Sequence, residues 1–581
     1  VILVTGETGC GKTTQVAQFI LEDAILSGKG SQTYIMCTQP RRISAITVAE
    51  RVANERGESL GQSVGYQIRL EKKMPRSLAS ILYCTTGVLL QYMHGDALLT
   101  KVSTVIVDEI HERNTVSDFV ITLLKDVVPL RPDLKVILMS ATLNADRFSR
   151  YFNNCPTVHI PGFTYDVKEY YLEDILEEIP FKYPQTSGAK MKKVMKELST
   201  DDNLFMGAYY RDLESSGKYS RRTVESLKNP ESNEISLPLI ADLVQHICNR
   251  MDQGAILVFL PGWDKISALN KLLLQSGKFP QHRYRIIPLH SLMPTANQKK
   301  VFDRPPRGMR KIILATNIAE TSITIDDVVY VVDCGKIKIK NFDIDGNVST
   351  LKEEWVSLAN ARQRRGRAGR VQEGVCFHMY SRGREMLLQK DMLPEILRTR
   401  LEEVILQGKI LQVGKIGKFL GKVMDPPSER AVELSIDLLT SMNALDSEEN
   451  LTPLGFHLAT LPIDPQAGKM LLFASLFSVL DPITSIAAAV SFKDPFIIPL
   501  GTRTRRGPGE TIFRFRPQIR PPYFSQSHST IRKSRMLRKR SVLRKCQFHV
   551  SKRSGSIRRH EETILFAFTR HEVCSKRQSK Q

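Results

Sequence analysis

Val1-Ile2-Leu3-Val4-Thr5-Gly6-Glu7-Thr8-Gly9-Cys10-Gly11-Lys12-Thr13-Thr14 opens the chain with a strand, a glycine loop and a helix start. Val1–Thr5 is an apolar, β-branched run of strand length. Gly6 to Thr13 match G-x-x-x-x-G-K-[ST], and Thr14–Leu21 reads as a helix. Strand, glycine loop and helix in that order curl backbone N–H groups around phosphate oxygens at a helix N-terminus, where the peptide dipoles add positive potential. The predicted nucleotide-binding residues are therefore Gly6, Glu7, Thr8, Gly9, Cys10, Gly11, Lys12, Thr13 and Thr14. Lys12 is expected to reach the β- and γ-phosphates, and Thr13 to ligate Mg²⁺.

Working outward, strand-like runs at Thr33–Thr38, Ile81–Thr85, Thr104–Asp108 and Lys135–Ser140 alternate with helix-like stretches up to about Gly162. That rhythm implies a parallel α/β sheet. Residues 173 to about 236 are charged and irregular and read as an insertion or linker. A second α/β pattern follows at Ala255–Phe259, Arg285–Pro288, Lys311–Ala315 and Val328–Asp333, so the chain is expected to hold two tandem lobes with a cleft between them. Lys336–Leu351 alternates around Asp345-Gly346, a hairpin signal.

Two further motifs complete the chemistry. Val105-Ile106-Val107-Asp108-Glu109-Ile110-His111 is a strand ending in two acids. Asp108 suits Mg²⁺ held through water, Glu109 suits orienting and deprotonating an attacking water, and Thr13, Asp108 and Glu109 form the predicted metal set. Gln363-Arg364-Arg365-Gly366-Arg367-Ala368-Gly369-Arg370 lies in the second lobe. Such a run is often a solvated face or a nucleic-acid patch. On a helix, though, Arg367 and Arg370 share a face and would suit a γ-phosphate in its transition state.

Composition sets bounds. The 581 residues are 42% hydrophobic, ordinary for a globular chain, and no run approaches the ~20 apolar residues of a membrane span. Nine scattered cysteines with no Cys-x-x-Cys pair read as reduced thiols. The net charge of +22 is concentrated at the end, where residues 502–581 carry 22 Lys and Arg against 4 Glu. Residues 1–501 hold only +4, so a nucleic-acid partner must be argued from motifs. The chain starts at Val1 and reads as truncated at its front, with no address signal to separate cytoplasm from nucleus.

The three motifs, in this order, resemble the DEAH-box branch of superfamily 2 helicases, and further matches cover most of residues 1–500. They include TQPRRISA (Thr38–Ala45), CTTG (Cys84–Gly87), SAT (Ser140–Thr142), VFLPG (Val258–Gly262), ATNIAETSITID (Ala315–Asp326) and LTPLG…LPIDP (Leu451–Pro465). DEIH with FLPGW and PLHSLMP is similar to the RNA helicase A/RHAU-like subgroup, on its RHAU, quadruplex-resolving side. The resemblance implies α/β architecture: a RecA-like ATP-binding domain over 1–167 and a second RecA-like domain over 168–382. It further implies a winged-helix domain over 383–450 and the start of a helical ratchet over 451–501.

It also implies an ATP- and Mg²⁺-dependent enzyme moving 3′→5′ on single-stranded RNA and unwinding RNA structure, as a monomer without a membrane partner. Gln363 would position the attacking water beside Glu109, Lys12, Arg367 and Arg370. Arg51 and Phe302 would sandwich the adenine, although Phe302 also reads as an ordinary core aromatic. Arg41, Arg42, Thr85, Thr86, Asn317 and Thr324 would contact RNA. His111, Ser140, Thr142, Thr316 and Thr321 would couple hydrolysis to RNA grip. In such proteins the hairpin separates strands; an inert surface hairpin remains open.

Three departures stand out. The family has a helix and strand before the phosphate-loop strand, and Arg400 stands where it usually has Pro. After Gly501 the sequence resembles neither the rest of the ratchet nor an OB-fold. Residues 502–581, without one Asp, read as the product of a shifted reading frame, or else as a disordered basic RNA-binding tail. The competing functions are a helicase acting on DNA or G-quadruplexes, an RNA-stimulated ATPase without efficient unwinding, and an inactive scaffold. The last is disfavoured by the complete catalytic set.

Overall fold

The computed structural model describes residues 1–491 apart from 8, 142–144, 163–164, 185–199, 291–292, 294–297, 299, 321–324, 344–345, 347 and 462. Thr8, Thr142, Thr321, Thr324 and the predicted tail lie outside the described residues. The chain divides into two units, Val1–Asp437 and Leu438–Gln581.

The first unit contains two α/β lobes. In the first, β1 (Ile2–Gly6), β2 (Tyr34–Gln39), β3 (Val64–Ile68), β4 (Glu71–Lys73), β5 (Ser80–Thr85), β6 (Thr104–Val107), β7 (Lys135–Ser140) and β8 (Thr157–Ile160) form one sheet. Its order is β4-β3-β5-β2-β6-β7-β1-β8, and every pairing except β3–β4 is parallel. Ile35-Met36-Cys37 and Val105-Ile106-Val107 are fully buried, because a parallel sheet has helices over both faces and its strands need continuous apolar runs. The parallel arrangement brings the ends of β1, β6 and β7 to one edge. The glycine loop follows β1 there, Asp108 and Glu109 follow β6, and Ser140 closes β7.

The second sheet contains β9 (Val167–Tyr170), β10 (Ala255–Phe259), β11 (Tyr284–Leu289), β12 (Arg310–Ala315), β13 (Val328–Asp333) and β16 (Gly374–His378), in the order β11-β12-β10-β13-β16-β9, all parallel. Between β13 and β16 the chain leaves to form a separate antiparallel pair, β14 (Lys336–Asp343) with β15 (Val348–Trp355). Near its turn the Phe342 N–H donates to Arg398 O at 2.9 Å. The guanidinium of Arg400 lies 5.2 Å from the Phe342 ring centroid, so the residue in place of proline packs on the hairpin.

The stretch 173–236 is not the irregular linker that its charge suggested. Its described residues include helices at Leu172–Glu178, Thr200–Ser216 and Arg221–Lys228. Leu172, Ile175, Leu176, Leu213, Val224 and Leu227 are buried in the same core as Leu239, Leu243 and Ile256. Each helix spends only two or three apolar residues on that core, too few to raise a periodic signal above the charges between them.

Residues 393–425 pack on the first lobe. Phe419 meets Phe119 edge-on, with centroids 5.2 Å apart. Asp425 accepts from Arg113 Nη2 and from Arg147 Nη2, both at 2.6 Å. Arg113 also holds buried Asp118.

The second unit, in its described part, has helices at Pro453–Thr460, Pro465–Leu476 and Leu480–Ser491. Thr452 and Asp464 cap the first two, accepting from the N–H groups of Gly455 and Gln466, both at 2.9 Å. Leu471, Ala487 and Ala488 form its small core. No helix among the described residues is long and apolar enough to cross a membrane.

Candidate nucleotide and nucleic-acid site

The glycine loop has the backbone that its sequence requires. Gly9 (φ 103) and Gly11 (φ 87) sit in the left-handed region that a side chain resists. Gly11 starts the helix Lys12–Leu26, so the helix N-terminus faces the loop. Lys12 is buried, and its Nζ donates to Glu7 O at 3.4 Å. Thr13 Oγ1 donates to Asp108 Oδ2 at 2.7 Å, which joins the phosphate loop to the acid pair across the sheet.

Asp108 is fully invested. Its Oδ2 also accepts from Gln39 Nε2 at 2.8 Å, and its Oδ1 accepts from the Glu109 N–H at 2.8 Å. Burial and the neighbouring Glu109 push its carboxyl up to about 6, against the pull of Lys12, Thr13 and Gln39. Gln39 lies in TQPRRISA but was not singled out in the sequence; its spacing from Asp108 carries no local signal.

Glu109 holds a left-handed backbone (φ 56), the bend that turns its carboxylate away from the strand. Burial raises its pKa, opposed by Lys12, Arg367 and Arg41. His111 Nδ1 accepts from the Ala141 N–H at 3.1 Å, linking the acid pair to the SAT segment next to Ser140. Burial drives His111 down to about 4, so the ring is neutral and carries its proton on Nε2. That nitrogen lies 3.3 Å from Glu109 Oε2 but off the hydrogen-bond line.

The arginine motif is arranged differently from the shared helical face expected for it. The helix runs Leu358–Arg365 and ends at Gly366. Arg367 and Arg370 belong to the turn beyond, with the Arg367 N–H donating to Arg364 O. The turn is held where the Tyr165 N–H donates to Gly369 O at 2.9 Å. A Cβ at Gly369 would sit 2.4 Å from the Tyr165 carbonyl oxygen, so only glycine fits. Arg367 Nη2 donates to Glu320 O. Burial, then its neighbour Arg370, lowers the pKa of Arg367; burial lowers Arg370 to about 10. Both feel the charge of Glu109 in the other lobe. Three buried polar atoms, Glu109 Oε2, His111 Nε2 and Gln363 Nε2, have no hydrogen-bond partner among the described residues. Native proteins rarely bury such atoms without a use for them.

Nothing in the spacing of the motif marks Arg364 for a role. It is the buried anchor, donating to Glu320 Oε2 at 2.9 Å and Asp333 Oδ1 at 2.8 Å, with its guanidinium 5.0 Å from the Phe259 ring. Replacing Arg364 with Ala leaves two buried carboxylates uncompensated and is expected to cost about 3–5 kcal/mol. A thermal unfolding midpoint within 1 °C of the parent would remove that role.

The predicted nucleic-acid residues divide. Arg41 Nη1 donates to Asn317 O at 2.8 Å, a contact from lobe to lobe, and Nη2 approaches Glu112 at 3.4 Å. Arg42 is exposed, and its Nη2 donates to Arg69 O at 3.4 Å. Thr85 stands at the N-cap position of the helix Thr86–Gly95, with no side-chain capping hydrogen bond. Thr86 is buried with its hydroxyl 3.4 Å from Ser117 Oγ, so it turns into the lobe rather than toward a surface. Thr316 and Ser140 are buried at the ends of β12 and β7. Arg51 is exposed and ion-paired to Glu55 at 2.6 Å. Phe302 is 37% exposed, which rules out the core-aromatic reading.

Comparison with known proteins follows this division of the chain. A DEAD/DEAH box helicase model matches residues 1–149 and a helicase conserved C-terminal domain model residues 239–372. The helicase associated domain (HA2) matches as winged-helix over 435–463 and as ratchet-like over 464–551. Those two boundaries fall later than the 383–450 and 451–501 read from the sequence, and the ratchet match runs into the stretch read as a tail. Among curated relatives, the "ATP-dependent DNA/RNA helicase DHX36" of Homo sapiens is 56% identical over 512 residues, covering 86% of this chain and 51% of the relative. The Bos taurus protein of the same name is 56% identical over 514 residues, with the same shares covered. "DExH-box ATP-dependent RNA helicase DExH1" of Arabidopsis thaliana is 49% identical over 520 residues, covering 88% of this chain and 52% of the relative. The chain spans about half the length of the curated relatives it matches.

Proposed function

We propose, for a chain that belongs to the DEAH-box branch of the DEAD/DEAH-box helicases, that it hydrolyses ATP between its two lobes and uses the cycle to move 3′→5′ along single-stranded RNA and open RNA structure. The observation that carries the reading is the pairing of orphaned buried atoms at Glu109 and Gln363 with two second-lobe arginines that feel the charge of Glu109.

The donor set fits Mg²⁺. Thr13 and Asp108 present hard oxygens side by side, and a cation that keeps several waters and binds phosphate needs few protein ligands. When bound, the ion would neutralise charge between the phosphates. Everything else falls to this chain's residues. The glycine loop and Lys12 bind the phosphate chain. Glu109, raised by burial, holds the attacking water and takes its proton. Gln363 orients that water from the other lobe. Arg367 and Arg370 stabilise the charge that spreads over the γ-phosphoryl oxygens. Because the base and the arginines come from different lobes, hydrolysis requires closure. His111, bonded to the backbone of the SAT segment, reports the state of the acid pair to the nucleic-acid side.

RNA is the preferred substrate in this reading, gripped through its backbone by Arg41, Arg42, Thr85, Asn317 and Thr324, without base reading. The relatives named DNA/RNA helicase keep DNA and G-quadruplexes as the second reading. ATPase assays with poly-U RNA, single-stranded DNA and a folded quadruplex decide it. Stimulation by poly-U above the other two is expected; stimulation mainly by DNA or quadruplex would transfer the function to that substrate.

Residues 502–581, with their balance of +18, are proposed to add sequence-blind binding by charge. Each phosphate neutralised on a single strand gives a log–log salt slope of about −0.7. Deleting these residues should remove much of the low-salt RNA affinity and leave basal ATPase nearly unchanged. Unwinding at physiological salt that disappears with the deletion would instead make them a working part of the helicase.

A further inference from the structure

Phe302 carries a large exposed ring on a loop, so packing alone does not fix its position. The backbone on either side of it is held from below by one side chain. Lys311, at the start of β12, has a fully buried side chain. Its Nζ donates to Val301 O at 2.8 Å and Asp303 O at 3.3 Å, and pairs with Asp327 Oδ1 at 2.8 Å. An ammonium has three N–H bonds, and here they meet three acceptors, two of them the carbonyls that flank Phe302. Val301 is buried in the lobe core, and the Asp303 carboxylate pairs with Arg285 at 3.5 Å. A lysine is seldom buried so completely unless each hydrogen bond is met. The paired carbonyls are a specific load that a lysine serving only the sheet would not need.

We propose that Lys311 is the positioning residue for the base of the bound nucleotide: its ammonium locks the backbone on both sides of Phe302 so that the ring is presented as a fixed platform. This rests on the reading of Phe302 as one face of the base site. Lys311 itself touches no nucleotide. Its contribution is the ordering that the loop would otherwise have to undergo on binding. Freezing about one residue's backbone corresponds to roughly a tenfold change in affinity.

The test separates base from phosphate. Dissociation constants for ATP and for inorganic tripolyphosphate are measured with the full chain, with Lys311→Met and with Phe302→Ala. Lys311→Met is expected to weaken ATP about tenfold and to leave tripolyphosphate within about twofold, the same split as Phe302→Ala. If Phe302→Ala shows the split and Lys311→Met does not, the proposal fails while the base-site reading stands. If Phe302→Ala shows no split, the base-site reading fails and takes the proposal with it. Equal loss of both ligands in Lys311→Met would make Lys311 a general structural residue and overturn the proposal. Should Lys311→Met not fold, Asp327→Asn, which keeps an acceptor but removes the charge that fixes Nζ, must show the same split at smaller amplitude. No split there would overturn the proposal equally.

Discussion

Glu109→Gln is expected to bind ATP as the parent chain does and to hydrolyse it at least ~100-fold more slowly, since general-base catalysis contributes about 10²–10⁴. The substitution preserves the shape of a residue held at a left-handed backbone bend and deletes only its basicity. Burial raises the Glu109 carboxyl, which makes it a stronger base than an exposed glutamate. Its Oε2 is buried without a hydrogen bond among the described residues, so the substitution breaks no hydrogen bond at that atom. Binding and turnover should therefore separate cleanly. Turnover within tenfold of the parent would take Glu109 out of the reaction.

The second large effect belongs to the arginines. Arg367→Ala and Arg370→Ala are each expected to lower kcat strongly, by up to ~10³–10⁵, with a much smaller change in nucleotide affinity. Both guanidiniums are pushed below their ordinary pKa by burial, and Arg367 further by its neighbour Arg370. Two cations held together in a low-dielectric pocket are poised for concentrated negative charge, which is greatest in the transition state. Loss of RNA affinity with unchanged RNA-free hydrolysis, in either variant, would make that residue part of a nucleic-acid patch.

How much of this was legible before the structure depends on distance along the chain. The phosphate loop was fully readable, because its glycines, lysine and threonine are contiguous and their backbone requirement is local. The strands of both sheets were largely readable, because parallel strands buried on both faces are continuous apolar runs such as Val105–Val107. What pairs with what was not. Nothing in Val167–Tyr170 says that it joins β16 two hundred residues later, and nothing around Gln39 says that it steadies Asp108. The helices between 172 and 228 were hidden by their charge, since only a few residues of each are buried. The arginine motif was identified, but its geometry was misjudged. A spacing of three suggested a helical face, whereas Gly366 ends the helix and a turn locked at Gly369 aims the side chains. Thr86 was expected to contact RNA only because its place in CTTG matches the family's motif. Ser117 on the neighbouring helix draws it inward.

One site, assembled from both lobes, is proposed to hydrolyse ATP in response to RNA. Its most direct measurement is steady-state ATP hydrolysis by the full 581-residue chain with Mg²⁺, with and without poly-U RNA, beside Glu109→Gln and Arg370→Ala. Hydrolysis is expected to rise with RNA in the parent chain and to fall by about two orders of magnitude or more in each variant whether or not RNA is present. Hydrolysis that persists in both variants, or that poly-U leaves unchanged, would contradict it.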